Sequence, residues 1–134
     1  MVEVERAKAR ILLIEDDPDI AQLYVLRLSR DGYVVDLATD GRRGLELAGE
    51  GLPDLVFLDL RLPGLDGLEV LRRLRDDTAT QAIPVVVITN YDDPELRAQA
   101  KALGAIEYVL KSRATPKSIA LAVNRWLDEV ERSA

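Results

Sequence analysis

The sequence predicts an α/β fold: a doubly wound, five-stranded parallel sheet carrying five helices. Three observations predict it. Five short apolar runs recur along the chain, amphipathic helical stretches separate them, and the two kinds alternate strictly. The first run is Ile11 to Ile14, near-continuous and β-branched, as in strands buried on both faces. A helical face formed by Ile20, Leu23, Tyr24 and Leu28 follows it. Tyr33 to Val35 forms a weaker second strand, which Asp36 is expected to interrupt. Arg42 to Glu50 is a weaker helix bracketed by Gly41 and Gly51. Leu55 to Leu58 is the third strand. Asp66 then opens a helix as its N-cap, with Leu68, Leu71 and Leu74 on one face. Val85 to Ile88 is the fourth strand. Its helix carries Leu96, Ala100 and Leu103 and ends at Gly104. Tyr108 to Leu110 is the fifth strand, and Ile119, Val123, Trp126 and Val130 mark a last helix from near Pro116.

Five such units suit the strand order 2-1-3-4-5, the flavodoxin-like arrangement. Its winding reverses between strands 1 and 3, so a ligand site is expected at their carboxyl ends. The domain is expected to span residues 9–128, with 1–8 as an N-terminal extension and 129–134 as a C-terminal tail.

Composition narrows the chemistry. The chain has 134 residues, the size of one domain, with 18 basic and 24 acidic side chains and a net charge of −6. That balance argues against general nucleic-acid or anionic-membrane binding. Neither Cys nor His is present. Disulfides, thiol nucleophiles, His-based triads and Cys- or His-ligated metals are therefore excluded. The first ten residues lack an apolar targeting core, and no apolar run is long enough to span a bilayer. A cytoplasmic protein is expected.

Strand 1 ends in Glu15-Asp16-Asp17 and strand 3 in Asp59, the two positions singled out by the topology. Two carboxylates 4 Å apart repel by about 4 kcal/mol at an effective dielectric near 20. A cluster of them needs raised pKa values or a cation, and hard oxygen ligands suit Mg²⁺. Asp17 is accounted for as the cap of the next helix. Strand 4 ends in Thr89, and Lys111 follows strand 5. A metal, an ammonium and a hydroxyl around one Asp nucleophile are what phosphoryl chemistry requires.

The stretches ILLIEDD (11–17), DLVFLDLRLPGLDG (54–67), VVVITN (85–90) and ALGAIEYVLK (102–111) together resemble the receiver domains of two-component response regulators, over about residues 9–128. The resemblance implies a stand-alone receiver that accepts a phosphoryl group on Asp59 from a histidine kinase or histidine phosphotransfer protein. It implies Mg²⁺ held by Glu15, Asp16, Asp59 and the backbone carbonyl of Arg61, with Asp16 the direct ligand and Glu15 acting through water. It makes Thr89 the switch hydroxyl, Lys111 the phosphate-pairing lysine and Tyr108 the switching aromatic. Output is then a protein target on the helix 4–strand 5–helix 5 face, about residues 95–128. A homodimer is left open. Beyond Mg²⁺-dependent self-phosphorylation and slow self-dephosphorylation, no enzyme activity is implied.

The chain departs from that pattern in places. Ser112 follows Lys111 where the family usually has Pro after a cis bond, and a cis bond before Ser would cost about 2.5–4 kcal/mol. Asn90 stands where receivers usually have Ala or Gly, and Arg61 puts a long side chain beside the site, read as solvated. Tyr91 reads equally as rim surface or as a gate. Trp126 reads as core. Two rivals stand beside the receiver reading. In a haloacid-dehalogenase-type phosphatase, a second Asp would stand two residues after the nucleophile, and Arg61 occupies that position. A phosphorylation-independent receiver-like adaptor would use the same face constitutively.

Overall fold

The computed structural model describes residues 9–133, with side chains through Val130. The expected N-terminal extension, residues 1–8, lies outside the described residues. Five strands alternate with five helices: β1 (Arg10–Ile14), α1 (Pro18–Arg30), β2 (Val34–Ala38), α2 (Gly41–Gly51), β3 (Leu55–Leu58), α3 (Gly67–Asp76), β4 (Val85–Thr89), α4 (Pro94–Ala102), β5 (Glu107–Leu110) and α5 (Pro116–Ser133). All four strand pairings are parallel, in the order β2-β1-β3-β4-β5. That is the doubly wound order expected from the alternation. The α5 helix runs on past position 128.

The alternation of side chains along each strand divides the interior into two cores. On one face Leu12, Ile14, Val56, Leu58, Val85 and Val87 pack against α2, α3 and α4 through Ala48, Val70, Leu71, Leu74 and Ala100. On the other, Ile11, Leu13, Leu55, Phe57, Val86 and Ile88 meet α1 and α5 through Ala21, Tyr24, Leu28, Ile119, Val123 and Trp126. Each central strand thus sends apolar side chains both ways, which is why its sequence reads as an unbroken apolar run. Trp126 is core, as expected, with its ring edge-on to Phe57 at 5.8 Å.

Aspartates start the helices. Asp17, Asp40, Asp66 and Asp93 each accept hydrogen bonds from first-turn backbone amides of α1, α2, α3 and α4. Gly104 ends α4 in the left-handed region at φ +81°.

Two expectations need correcting. Leu23 is 57% exposed, and α1 instead buries Ala21, Tyr24 and Leu28. The helix turns its small Ala21 toward the closely approaching sheet, which swings Leu23 outward. Nor does Asp36 interrupt β2. The strand runs through it because β2 is an edge strand, where the side chain can lie in solvent and pair with Arg10 at 3.1 Å.

Candidate functional site

The parallel ladder continues one residue past the ends of β1 and β3. The Glu15 amide donates to Ala38 O at 3.0 Å and the Asp59 amide to Ile14 O at 3.1 Å. Two acids are thereby clamped side by side where the sheet's winding reverses. Gly67, first residue of α3, lets that helix start directly against the end of β3: a Cβ there would collide with the carbonyl oxygen of Asp59.

Carboxylate oxygens of Glu15, Asp16 and Asp59 lie within 4.8 Å of one another. Glu15 and Asp59 are buried, and Asp16 is exposed. Lys111, the first residue past β5, opens a single 3₁₀ turn (Lys111–Arg113) and sends its side chain across the rim. Its Nζ donates to Asp59 Oδ2 at 2.9 Å and pairs with Glu15 Oε1 at 2.5 Å. The remaining oxygens have backbone partners. The Arg61 amide donates to Asp59 Oδ1 at 3.1 Å, and the Asp17 amide to Glu15 Oε2 at 3.2 Å.

The charges do not balance. Burial pushes the Glu15 carboxyl up to about 7, against the pull of the Lys111 hydrogen bond and with added push from Asp59. For Lys111, burial disfavours the ammonium, but hydrogen bonds to Glu15 and Asp59 outweigh it and raise its pKa. One ammonium thus faces three carboxylates. Their hard oxygens, two of them held in place by backbone amides, fit a divalent cation such as Mg²⁺.

Thr89 ends β4 fully buried, and its Oγ1 accepts from the Tyr91 amide at 3.3 Å. Tyr91 O in turn accepts from the Tyr108 hydroxyl at 2.6 Å. The guanidinium of Arg97 lies 4.5 Å over the Tyr108 ring. That of Arg61, read from sequence as solvated, instead stacks 4.2 Å over the Tyr91 ring. No peptide bond among the described residues is cis, so Ser112 follows Lys111 through a trans bond and Lys111 still reaches the acids.

Sequence reasoning missed Tyr24. It reads as one more apolar position on α1, yet it is buried close enough to Lys111, Glu15 and Asp59 to feel their charges. Burial, first of all, raises its hydroxyl pKa, so the phenol stays neutral beside the site.

Fold and pocket define a class: α/β signalling domains with an acid cluster and a lysine at the switch point of the sheet. Residues 11–123 match the model of the response regulator receiver domain, and the chain belongs to that family. It is a receiver domain of two-component systems. It is 40% identical over 103 residues to the response regulator PleD of Caulobacter vibrioides, covering 77% of this chain and 23% of that protein. It is 43% identical over 102 residues to RpaA of Synechocystis, a DNA-binding transcriptional regulator, covering 76% of this chain and 42% of RpaA. The chain thus spans less than half the length of either relative. A CheY-like receiver domain protein from Methanospirillum hungatei superposes with a TM-score of 0.88 at 25% identity, over 96% of this chain and 100% of that one. No described helix is long and apolar enough to cross a membrane.

Proposed function

We propose that this receiver takes a phosphoryl group onto Asp59 from a histidine kinase or histidine phosphotransfer protein and thereby switches a protein-binding surface. The observation that carries this reading is the shared grip on Asp59: Lys111 Nζ on one oxygen and the Arg61 amide on the other, beside two further acids. In the step itself, an Asp59 oxygen attacks phosphorus and the P–N bond to the donor imidazole breaks. The nitrogen keeps the electron pair and takes up a proton, and an acyl phosphate remains. Glu15, Asp16, Asp59 and the Arg61 carbonyl would hold Mg²⁺, which would offset charge on the phosphoryl oxygens. Lys111, already paired with Asp59, supplies a positive charge to the phosphoryl oxygens.

Thr89 links this chemistry to the surface. Its hydroxyl accepts from the Tyr91 amide, which leaves its own proton free to donate to a phosphoryl oxygen. Moving toward that oxygen loosens Tyr91, whose carbonyl holds the Tyr108 hydroxyl. Tyr108 and Arg97 then rearrange, and the α4-β5-α5 face takes its partner-binding form, a shift between two existing conformations. A cytoplasmic setting suits a domain that meets a kinase and a protein target.

Incubation with acetyl phosphate or phosphoramidate plus Mg²⁺, followed by intact-mass measurement, tests the reading. One phosphoryl group should be gained, and Asp59→Asn should gain none. A wild-type chain whose mass does not change would support the phosphorylation-independent adaptor.

A further inference from the structure

We infer that a cleft at the amino end of β4 and β5 is a ligand site for a small apolar carboxylic acid, with the guanidinium of Arg75 as its anchor. The inference does not rest on phosphorylation of Asp59, because the cleft opens at the other end of the sheet from the acid cluster. Ala82, Ile83 and Pro84, which lead into β4, line it together with Ile106 before β5 and Val130 near the end of α5. Arg75 closes it from α3. The cavity measures about 530 Å³, within the range of small-molecule sites, and its walls are mainly apolar.

The polar group in those walls is incompletely used. A guanidinium carries five N–H donors. Arg75 spends four of them on backbone: Nε on Leu103 O, Nη1 on Gln81 O and Ile83 O, and Nη2 on Gly104 O. The second hydrogen of Nη2 has no acceptor among the described residues. Nor does Arg75 enter any ion pair among them. Its four partners are neutral carbonyls, which fix the group in place and leave its charge whole. Burial disfavours that charge.

A half-buried cation that lacks a counter-charge, beside apolar walls, is complementary to an anion with an apolar body. The carbonyls hold the guanidinium in position before a ligand arrives, so little side-chain freedom is lost on binding. A single negative charge fits best. One N–H is open, and the oxygens of Gln81, Ile83 and Gly104 around the cation would repel a multiply charged group such as phosphate. The lining acid Glu129 is exposed and pairs with Arg125, 3.9 Å away on the preceding turn, which offsets its charge.

The experiment titrates the isotope-labelled full chain with octanoate and follows backbone amide signals by NMR. Those of Ile83, Gly104 and Val130 should shift and saturate by about 10 mM ligand. Octanol, the same body without the charge, should bind about tenfold more weakly or less, the loss of one hydrogen bond between charged groups. Acetate, which has the charge without the body, and inorganic phosphate should not saturate in that range. Removing Arg75 would free four carbonyls and disturb the fold, so its charge is met instead from a neighbour. Gln81 is exposed, and Arg75 uses only its main-chain oxygen. Gln81→Glu gives the guanidinium a carboxylate of its own and should weaken octanoate about tenfold, at an unchanged or higher melting temperature. Gln81→Ala, which keeps the carbonyl and adds no charge, should bind as wild type does. Octanol binding as tightly as octanoate would reduce the site to an apolar crevice and overturn the inference. So would phosphate binding as well as octanoate, or Gln81→Ala weakening it as much as Gln81→Glu, which would put recognition on the amide side chain. Amide shifts that never saturate with octanoate in the wild type, or that fall outside the cleft, overturn it outright.

Discussion

Lys111 and Arg75 are long cationic side chains drawn inward at opposite ends of the sheet, and they are held in contrasting ways. Lys111, past the carboxyl end of β5, grips the carboxylates of Glu15 and Asp59. Arg75, on α3, is held by backbone alone. Its guanidinium donates to the carbonyls of Leu103, Ile83, Gln81 and Gly104 at 2.8, 2.7, 3.0 and 3.3 Å. Those carbonyls lie in the loops that lead into β4 and β5. Two of them lie at the carboxyl end of α4, where a cation also meets the negative end of the helix dipole. Carbonyls cannot titrate or bind phosphate, so the Arg75 end is fixed at any ordinary pH. At the Lys111 end, charge is left over for a ligand to satisfy. The same kind of side chain thus staples one edge of the sheet and arms the other.

The sharpest way to break this comparison is to remove the staple. Arg75→Ala leaves four carbonyls without their donor and should cost about 3 kcal/mol in urea unfolding, at pH 5.5 and pH 8 alike. A loss that depended on pH would mean the guanidinium answers to a titrating partner. The armed end should behave in the opposite manner. Burial holds the Glu15 carboxyl at about 7, above its ordinary value, so the native state prefers the protonated form. Stability from this group is full below about pH 4.5 and is lost as pH rises through about 7, on the order of 2–3 kcal/mol. In metal-free buffer with a chelator, Glu15→Gln should therefore flatten the fall in unfolding free energy between pH 5.5 and pH 8. An unchanged slope would place the titration elsewhere.

The two ends also differ in how well sequence revealed them. The armed end was legible because topology and residue type agree there. Glu15, Asp16, Asp59, Thr89 and Lys111 all fall at strand ends, and strand ends can be found from unbroken apolar runs. Arg75 was not legible. On an amphipathic helix it reads as one more solvated charge, and its acceptors are main-chain carbonyls 6 to 29 residues away that no side-chain pattern marks. The stack of Arg61 on Tyr91 was hidden for a related reason: it joins two loops whose approach depends on the register of β3 against β4. Leu23 failed differently. Periodicity alone fixes the face of α1 only to within a side chain, and the small Ala21 decided it.

Backbone strain gives the smallest effect and sharpens the contrast. Strained residues often gather at functional sites. Here the one non-glycine residue at positive φ among the described residues is Leu52, at φ 44°, where α2 ends and the chain turns toward β3. That is the opposite end of the sheet from the acid cluster. Its side chain is 55% exposed, so little packing compensates for the left-handed conformation. Glycine would relieve that strain at some cost in unfolded-chain entropy, and Leu52→Gly should stabilise the fold by about 0.5–1 kcal/mol. Leu52→Ala keeps the strain, loses little burial and should leave stability nearly unchanged, which separates strain from packing. Equal shifts in both variants would show that the leucine side chain, not its backbone, sets the effect. Because the position is remote from Asp59, the glycine variant should also leave phosphoryl uptake as it was. A change there would mean that the two ends of the sheet are coupled.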